Sequence, residues 1–458
     1  MYRPHFHFIG IGGTGMSAIA HILLEKGFKV SGTDLHTSEI IRGLEKRGVD
    51  IYTEHRPENI NEAELVVYSS AIPPDNPELK EAYRRGLPVK HRAELLAKIL
   101  NNSHGIAIAG AHGKTTTTSM LGFIFSKYGA DPTVLIGALN DDLEGNARAG
   151  NSPYVIAEAC ESDYSFFKYF PLAAIVTNVE PDHLENYQGK FSLLIEAYKK
   201  FLGNVKKKGF CLLCADDPVL QDFLKDSFPC KILSYGSSET SDYRPREVKL
   251  QPEGSEFCIY YQHKILARVK LPVPGKHNVL NATAALAVGH QLGMDIKKLA
   301  RSLENFHGAR RRFQHIGTAN RVTVIDDYAH HPTEVATTLE TARLLNPERI
   351  VAFFQPKRYT RTKFLFNDFS RAFNQADVLI MSEILPFGEK PIPGITTEAL
   401  AQSIEKETGR DVIVLPYKHE EIINKFMKML RPGDLALTMG AGDDIASLAQ
   451  KVYNELKR

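Results

Sequence analysis

The sequence predicts an α/β protein of three successive domains, each built around a largely parallel β-sheet. Three observations lead to this prediction. Glycine-rich turns at residues 10–15 and 110–113 each follow an apolar segment and precede a helical one. From residue 321 onward, apolar segments alternate with helix-length intervals, which is typical of a doubly wound parallel sheet. With 458 residues, the chain is too long for a single hydrophobic core.

The composition is that of an ordinary globular protein with nearly balanced charge. Lys and Arg number 56, and Asp and Glu number 54, so the net charge gives no reason to expect a nucleic acid or a membrane surface as partner. No apolar run approaches the roughly 20 residues that span a bilayer, and the start of the chain does not resemble a signal peptide. The five cysteines fit a reducing compartment. These features predict a cytoplasmic protein without membrane insertion.

The first predicted domain, residues 1–100, opens with a nucleotide-type turn. Its glycines fit the pattern G-x-G-x-x-G and are Gly10, Gly12 and Gly15. Such a turn lets a phosphate group approach the backbone at a helix N-terminus. Asp34 follows about 20 residues later, where Rossmann-like domains place an acid that binds ribose. The pattern predicts a Rossmann-like domain with a bound nucleotide, but it does not say which nucleotide.

The second predicted domain, residues 101–312, contains a phosphate-binding loop. The apolar segment 106–109 leads into GAHGKTTTT, a shortened P-loop pattern in which Ile108 stands in place of the first glycine. In such loops a lysine, here Lys114, binds the β- and γ-phosphates, and the following hydroxyl, here Thr115, binds Mg²⁺. The sequence therefore predicts a P-loop ATPase type of domain with a nucleoside triphosphate site.

Two later apolar segments of this domain end in acidic or imidazole side chains. The groups are Glu158, Glu161 and Asp163 after the first segment, and Asn178, Asp182 and His183 after the second. Because the carboxyl ends of parallel strands lie at one edge of a sheet, both groups are expected to surround a metal–phosphate site. Residues 248–275 alternate in polarity, which predicts an antiparallel edge to the parallel sheet.

The third predicted domain, residues 313–458, begins after the basic hinge HGARRRF. Its alternating strands and helices predict a second Rossmann-like sheet. Candidate side chains follow two of its strands, and they are Asp326, Asp327, His330, His331, Arg358 and Arg361. Two arginines three residues apart can clamp a carboxylate or a phosphate. The third domain therefore adds basic and imidazole groups to the predicted chemistry.

Taken together, these residues predict an ATP-dependent transferase or ligase, because phosphoryl transfer needs mainly positioning and charge neutralisation. Two other classes stay open. An NAD(P)-dependent oxidoreductase would explain the first glycine turn and Asp34, but it would leave the phosphate loop unexplained. A non-catalytic nucleotide-binding regulator would have no use for both Lys114 and His183.

Ordered motifs along essentially the whole chain resemble those of the Mur ligase family. They are FIGIGGTGMS (8–17), SGTD (31–34), YSSAI (68–72), AGAHGKTTTT (109–118), EACESD (158–163), TNVEPDHLENY (177–187), PGKHNVLNA (274–282), RRRF (310–313), DDYAHHPTE (326–334), FQPKRYTRT (354–362) and GAGD (440–443). The N-terminal glycine motif and FQPKRYTRT are most similar to the alanine-adding branch of the family.

The resemblance implies a particular reaction. ATP would phosphorylate the lactyl carboxylate of UDP-N-acetylmuramic acid, and the amine of L-alanine would then displace phosphate to form an amide. The implied setting is cytoplasmic peptidoglycan precursor synthesis by a monomer or homodimer, with ATP and two Mg²⁺ ions, for which Mn²⁺ is a substitute. A related ligase that adds another amino acid or a murein tripeptide stays open as an alternative.

The resemblance also assigns roles to residues. For the UDP-substrate it implies Gly10, Gly12, Gly13, Thr14, Gly15, Asp34, Ser69, Ser70 and Arg92. For ATP it implies Gly110, Ala111, His112, Gly113, Lys114, Thr115, Thr116, His277, Asn278, Asn281, Arg312 and Asp327. For metal it implies Thr115, Glu158 and His183, and for the acceptor amino acid His330, Arg358 and Arg361. The implied catalytic residues are Lys114, His183, Arg312 and Asp327.

Four features depart from the usual family pattern. Ala111 stands where Thr is usual, Cys160 where Asp is usual and Lys357 where His is usual, and the C-terminal motif reads GAGDDI instead of GAGDI. Lys357 lies beside the implied acceptor residues and therefore bears on the selectivity for L-alanine. None of the departures removes an implied catalytic residue.

Overall fold

The computed structural model describes residues 3–442 and 444–458. Asp443 of the GAGDDI motif lies outside the described residues. The chain forms two compact units: unit 1 comprises the chain up to Val248 with Phe257–Leu271 and Leu280–His307, and unit 2 comprises Lys249–Glu256, Pro272–Val279 and Gly308–Arg458. Within the described residues, no helix has the length and apolar character needed to cross a membrane. The domain boundaries at residues 100 and 312 stay predictions.

The N-terminal part of unit 1 is a five-stranded parallel sheet with strand order β3-β2-β1-β4-β5. Its strands are β1 (His5–Ile9), β2 (Lys29–Thr33), β3 (Asp50–Tyr52), β4 (Leu65–Tyr68) and β5 (Val89–His91), and its helices are α1 (Thr14–Glu25), α2 (Glu39–Lys46), α3 (Pro77–Arg84) and α4 (Arg92–Asn101). The strand order reverses between β1 and β4, and open α/β sheets bind ligands at such a switch point. The glycine turn follows β1 and therefore lies at this position.

A ten-stranded sheet follows in the chain, with order β15-β14-β13-β12-β11-β10-β6-β9-β7-β8. Its strands are β6 (His104–Ala109), β7 (Thr133–Asn140), β8 (Gly145–Arg148), β9 (Tyr154–Glu158), β10 (Ala173–Val176), β11 (Phe210–Cys214), β12 (Lys231–Tyr235), β13 (Tyr243–Gln251), β14 (Gly254–Tyr261) and β15 (Lys264–Leu271). The helices of this region are α5 (Lys114–Tyr128), α6 (Phe191–Gly203), α7 (Pro218–Phe223), α8 (Lys276–Gln291) and α9 (Ile296–Ser302). Strand β6 pairs in parallel with β9 on one side and β10 on the other.

The predicted antiparallel edge corresponds to β13, β14 and β15. Consecutive strands of this group are joined by two-residue connections, which permit only antiparallel pairing. In the second connection, Gln262 (φ +44°) and His263 (φ +68°) both have positive φ, as the favoured two-residue hairpin turn requires. Alternating polarity therefore predicted this region correctly.

Unit 2 contains a six-stranded sheet with order β16-β17-β21-β18-β19-β20, in which only β16 pairs antiparallel. Its strands are β16 (Gln314–Ala319), β17 (Val322–Asp327), β18 (Ile350–Phe354), β19 (Val378–Met381), β20 (Val412–Val414) and β21 (Leu435–Met439). Its helices are α10 (Pro332–Arg343), α11 (Tyr359–Phe364), α12 (Phe366–Ala372), α13 (Thr397–Thr408), α14 (His419–Met429) and α15 (Ile445–Leu456).

Strand β18 shows why this sheet carries helices on both faces. Ile350, Ala352 and Phe354 pack into one apolar cluster, whereas Val351 and Phe353 pack into the other. Successive side chains of a strand point to opposite faces, so an unbroken apolar strand needs a cover on each side. The residues that follow β17 and β18 then lie at the carboxyl edge of the sheet, where the candidate acceptor residues begin.

Candidate functional site

The phosphate loop lies at the carboxyl end of β6, between the carboxyl ends of β9 and β10. Gly110 (φ +135°) and Gly113 (φ +80°) have left-handed backbone angles, which favour glycine. A Cβ atom on Gly110 would collide with the Thr177 hydroxyl, and one on Gly113 would lie 2.9 Å from Oδ1 of Asn281. Helix α5 begins at Lys114 directly after the loop. The loop can therefore present backbone N–H groups to an anion at a helix N-terminus.

Lys114 folds back over this loop and forms a buried ion pair with Glu161. Its Nζ lies 3.1 Å from each carboxylate oxygen of Glu161 and also donates to the carbonyl oxygens of Gly110 and Ala111. Burial alone would lower the pKa of Lys114, but the Glu161 carboxylate, with smaller effects of Cys160 and Glu158, outweighs burial and raises this pKa above its ordinary value. Lys114 is therefore charged at neutral pH, and a phosphate group must compete with Glu161 for it.

The segment after β10 fixes the loop through His112. Oδ1 of Asn178 accepts a hydrogen bond from the His112 N–H at 2.8 Å, and Nδ2 of Asn178 donates to the His112 carbonyl oxygen at 3.1 Å. The Thr177 hydroxyl donates to the same carbonyl oxygen. These bonds fix the backbone of the loop but engage the His112 N–H, so N–H groups that converge on an anion must come from the residues after His112.

Glu158 stands beside this loop at the end of β9. Its position in the strand pairs with Ile108 of β6, and its Oε1 accepts the Gly137 N–H at 2.5 Å. The charge of Glu158 is one of those that raise the pKa of Lys114. Thr115, in the first turn of α5, is buried. The structure thus brings together the predicted metal ligands Thr115 and Glu158 with Lys114.

His183 follows β10 and is flanked by two carboxylates. Its Nε2 lies 3.6 Å from Oδ2 of Asp182, and its Nδ1 lies 3.5 Å from Oε1 of Glu185. Nδ1 is buried and forms no hydrogen bond with any residue that the structure describes. The backbone φ of His183 is +54°, a strained value for a residue with a side chain, and such strain is concentrated at functional sites.

The oxygen donors at the phosphate loop fit Mg²⁺, which prefers carboxylate and hydroxyl oxygens; they are Thr115, Glu158 and Glu161. Asp182 and Glu185 flank His183, whose imidazole nitrogen is a further candidate ligand. Cys160 stands between Glu158 and Glu161 in the sequence, and burial raises the pKa of its thiol to about 11. Cys160 is therefore neutral at a position where the family pattern usually has a charged aspartate. The predicted metal ligand Glu158 is present as in that pattern.

The glycine turn after β1 lies against Asp34 and Arg92. Oδ2 of Asp34 accepts the Gly12 N–H at 2.9 Å. A Cβ atom on Gly12 would lie 2.8 Å from that oxygen, and one on Gly15 would lie 2.9 Å from Nη1 of Arg92. Nη2 of Arg92 in turn forms an ion pair with Asp163. The fold therefore brings together four residues that the family resemblance assigned to the UDP-substrate, namely Gly12, Gly15, Asp34 and Arg92.

The remaining predicted residues of that group lie around the same turn. Gly13 precedes the first residue of α1, Thr14. Ser69 follows β4, and its Oγ would lie 3.5 Å from a Cβ atom on Gly10. Ser70 is farther along the same segment and shares a hydrogen bond of 3.0 Å with Nε2 of His91. No contact places Ser70 on the glycine turn among the described residues.

In unit 2, the predicted nucleotide residues His277, Arg312 and Asp327 form an electrostatically coupled group. Asp327 accepts the N–H groups of Phe313 and Ala329, each at 2.6 Å. Burial raises the pKa of Asp327 to about 6, against the opposite effect of Arg312. Burial lowers the pKa of His277 to about 4, and the charge of Arg312 adds to this effect. His277 is therefore neutral at neutral pH.

Helix α8 contributes predicted nucleotide residues to both units. His277 and Asn278 belong to unit 2, and Asn281 belongs to unit 1. In unit 2, Nδ2 of Asn278 donates to the carbonyl oxygen of Pro274 at 2.7 Å. In unit 1, Asn281 stands beside Gly113. The motif PGKHNVLNA is thus divided between the two compact units, which its spacing in the sequence did not indicate.

The predicted acceptor residues follow β17 and β18. Nδ1 of His330 lies 2.9 Å from the Tyr328 carbonyl oxygen and 3.3 Å from Oε2 of Glu334. Arg358 has φ +70°, and its Nε donates to Oε1 of Glu389 at 2.7 Å. Arg361 is buried in α11. The ammonium of Lys357 lies 4.1 Å from the centroid of the Phe387 ring.

The sequence placed Glu161 and Asn178 around the metal–phosphate site, but it did not pair Glu161 with Lys114 or Asn178 with the backbone of His112. One partner residue, Glu389, was not assigned to the site at all. Glu389 carried no positional signal, because it lies 31 residues after Arg358 in an irregular segment. Only the tertiary structure brings that carboxylate to the arginine.

Comparison with known proteins gives a consistent result. Three family models match the chain, namely the Mur ligase family catalytic domain at residues 5–104, the Mur ligase middle domain at 108–289 and the Mur ligase glutamate ligase domain at 311–442. The UDP-N-acetylmuramate–L-alanine ligase of Pelotomaculum thermopropionicum is 48% identical over 96% of this chain and 95% of its own length. That of Desulforamulus reducens is 44% identical over 98% and 97%.

A solved structure agrees with these relatives. The crystal structure of the UDP-N-acetylmuramate–alanine ligase of Thermotoga maritima matches with a TM-score of 0.82 and 29% identity over 98% of both chains. Parallel sheets, a phosphate loop between acidic strand ends and a third region that adds arginine and histidine side chains are features of a nucleotide-dependent ligase. The chain belongs to the Mur ligase family. The predicted family, ligase class and α/β fold with parallel-dominated sheets are thus confirmed.

Proposed function

We propose that this chain is an ATP-dependent ligase that joins L-alanine to the lactyl carboxylate of UDP-N-acetylmuramic acid in peptidoglycan precursor synthesis. The observation that carries the proposal is the buried Lys114–Glu161 pair on a glycine loop between two acidic strand ends. The names of the full-length relatives support the choice of substrates.

The reaction has two steps. A lactyl carboxylate oxygen attacks the γ-phosphorus of ATP, which forms an acyl phosphate and releases ADP. The amine of L-alanine then attacks the acyl carbon, so that a C–N bond replaces the C–O bond to phosphate, and inorganic phosphate and a proton are released. Because water would hydrolyse the acyl phosphate, the site must exclude it.

Lys114 is the proposed ligand of the β- and γ-phosphates, with the backbone of Gly110 to Thr116 around them. Phosphate oxygens would replace Glu161 as partners of the ammonium, so Lys114 is paired with an anion before and after binding. In unit 2, the proposed nucleotide residues are His277, Asn278, Arg312 and Asp327. The positive charge of Arg312 suits a group that offsets phosphate charge.

Thr115, Glu158 and His183 are the proposed holders of Mg²⁺, with two ions in the complete site and Mn²⁺ as a substitute. Bound Mg²⁺ supplies neutralisation of the charge on the transferred phosphoryl group. Thr115 in the first turn of α5 and Glu158 at the end of β9 would supply oxygen ligands beside the phosphate loop, and Glu161 adds a carboxylate there.

The glycine turn with Asp34 and Arg92 is the proposed site of the UDP part of the substrate, and His330, Arg358 and Arg361 are the proposed acceptor residues. A guanidinium can bind a carboxylate through two parallel hydrogen bonds, which suits the carboxylate of an amino acid. A cytoplasmic location, and a monomer or homodimer without membrane insertion, belong to the same proposal.

The test is ADP release by the purified chain with Mg-ATP and UDP-N-acetylmuramic acid. The acceptors are L-alanine, glycine, L-serine and the murein tripeptide, each added separately. We expect release with L-alanine and much less with the tripeptide. Release with the tripeptide alone would assign the chain to a peptide-adding ligase, and no release with any acceptor would refute the proposal.

A further inference from the structure

A loop of residues 385–389 is attached to the segment that carries the proposed acceptor arginine. The carbonyl oxygen of Leu385 accepts the Arg358 N–H at 2.8 Å, and the Leu385 N–H donates to the carbonyl oxygen of Pro356 at 2.8 Å. Lys357 and Leu385 form a parallel bridge. The 385–389 loop therefore runs beside residues 356–358 at the carboxyl edge of the unit 2 sheet.

Glu389, at the end of this loop, binds Arg358 and Thr360 together. Its Oε1 accepts from Nε of Arg358 at 2.7 Å and from Oγ1 of Thr360 at 2.6 Å, and its Oε2 accepts the Thr360 N–H at 2.9 Å. The Glu389 side chain is only 15% exposed. Burial would raise its pKa, but the bonds from Thr360 and the charge of Arg358 lower the pKa overall, so the carboxylate is ionised.

The backbone of Arg358 is in a conformation that a residue with a side chain rarely adopts. Its φ is +70° and its ψ is 130°. Such a conformation persists only where the surroundings over-determine it. Two of the bonds that do so come from the 385–389 loop, one to the backbone N–H of Arg358 and one to its Nε. The 385–389 loop thus constrains both the backbone and the side chain of Arg358.

We propose that Glu389 is a positioning residue that holds the guanidinium of Arg358 ready for the carboxylate of the acceptor amino acid. This inference rests on the proposed function, in which Arg358 is an acceptor residue. By binding Nε, Glu389 fixes the plane of the guanidinium, and recognition of a carboxylate by two parallel bonds depends on that plane. An arginine that is ordered before the substrate arrives loses less side-chain freedom on binding.

The position of Glu389 on a separate loop makes the inference testable. Its carboxylate touches the arginine and Thr360 rather than any proposed nucleotide residue. A change at Glu389 should therefore act on the acceptor and leave ATP and the UDP-substrate unaffected. A purely structural role would not distinguish among the three substrates.

The experiment is a double-mutant cycle on the full-length protein with E389Q, R358A and the double variant. The Michaelis constants for L-alanine, ATP and UDP-N-acetylmuramic acid are measured by ADP release. We expect E389Q to raise the Michaelis constant for L-alanine by about tenfold, which corresponds to a loss of about 1.4 kcal/mol of binding free energy. The Michaelis constants for ATP and UDP-N-acetylmuramic acid should be unchanged. In the R358A background the same change should have little further effect, because coupled residues are non-additive.

E407Q is the matched control, since Glu407 forms an exposed ion pair with Arg371 in the same unit. It should leave all three constants unchanged. R358K, which keeps the charge, gives a second background in case R358A is too slow to measure, and thermal unfolding of every variant separates loss of folding from loss of affinity.

The outcomes separate the two levels of inference. If the unmodified chain does not turn over L-alanine, the proposed function fails. If it does but R358A leaves the constant for L-alanine unchanged, the acceptor assignment fails. If R358A raises that constant and E389Q does not, or if E389Q acts equally in both backgrounds or on all three substrates, Glu389 does not position Arg358.

Discussion

Lys114 and Glu161 illustrate how a functional residue can also be a structural one. Lys114 is the proposed phosphate ligand, yet it also balances a carboxylate that is 1% exposed. Removing one partner of a buried pair leaves the other charge uncompensated, which typically costs about 3–5 kcal/mol. Lys114 is therefore expected to affect both the activity and the stability of the protein, the latter through its ion pair with Glu161.

We predict that Lys114→Met abolishes turnover and lowers the free energy of unfolding by about 3 kcal/mol, as measured by urea denaturation without ligand. The double variant K114M/E161Q should regain most of the stability and none of the activity. Binding of UDP-N-acetylmuramic acid, followed by calorimetry, should be nearly unchanged in both. Equal stability of K114M and the unmodified chain would show that the ion pair is not important for folding.

The buried imidazole of His277 should make the free energy of unfolding depend on pH. Its pKa is lowered to about 4, whereas that of an exposed histidine is about 6.5. The unfolded chain therefore binds a proton first, so the contribution of neutral His277 to stability is complete above about pH 6.5 and is lost as the pH falls toward 4.

The measurement is the free energy of unfolding at pH 7 and pH 5. We expect H277Q to make the loss of stability between these values smaller than in the unmodified chain by up to about 2 kcal/mol. H36Q is the control, because His36 is exposed and should leave the loss unchanged. An identical pH dependence in H277Q and the unmodified chain would contradict the lowered pKa.

At the scale of elements, the same junction of strand, glycine turn and helix occurs after β1 and after β6. In each case small residues let another side chain approach the turn, namely Asp34 at Gly12 and Asn281 at Gly113. Glycine at these positions is therefore required by the neighbouring elements as well as by a ligand. The constraint is local in sequence, but the residue that imposes it is not.

We predict that Gly12→Ala weakens binding of UDP-N-acetylmuramic acid at least about tenfold, or about 1.4 kcal/mol, because the new Cβ would lie 2.8 Å from Oδ2 of Asp34 and 2.9 Å from Cδ1 of Ile41. Calorimetric titration gives the affinity, and ATP binding should be unaffected. The matched change Gly43→Ala lies inside helix α2, where the new Cβ would be 3.6 Å from Nη1 of Arg47, an ordinary van der Waals distance. It should leave binding unchanged and stabilise the helix by about 0.5–1 kcal/mol. If both variants bound UDP-N-acetylmuramic acid more weakly, the effect would not be specific to the glycine turn.

At the scale of the whole molecule, the C-terminal segment by itself supplies the apolar clusters on both faces of the unit 2 sheet. Every buried residue of the clusters on the two faces of the unit 2 sheet lies between Val322 and Leu456. Helix α15 closes one face, and its contributions are Ile445, Leu448, Ala449, Val452 and Leu456. The segment Gly308–Arg458 therefore carries its own core.

We predict that a fragment of residues 308–458 folds alone with a cooperative urea transition, followed by circular dichroism. A fragment of residues 308–444 should not fold, since burial of each large apolar side chain is worth about 1.5–3 kcal/mol and a domain is stable by only about 5–15 kcal/mol. A non-cooperative transition in the longer fragment would mean that other parts of the chain are needed for its folding.

Much of the fold and part of the site were predictable from local patterns. The strands, the two glycine turns and the acidic strand ends depend on residues that are adjacent in sequence, and the resemblance supplied the family and the roles. Glu161 could have been singled out as the partner of Lys114 only with the order of β6 and β9 in hand. Glu389 and the division of helix α8 between two units had no local signal.

The sequence by itself determined the class of domain, the phosphate loop, the family and the candidate residues, because periodicity and short motifs are properties of neighbouring residues. Only the tertiary structure decided which of those residues meet, such as Lys114 with Glu161, Gly12 with Asp34 and Arg358 with Glu389. The physical reason is that strand order and loop paths are set by packing between distant segments. The pKa shifts of Lys114, His277 and Asp327 follow from that packing, because burial and nearby charge exist only in the folded chain.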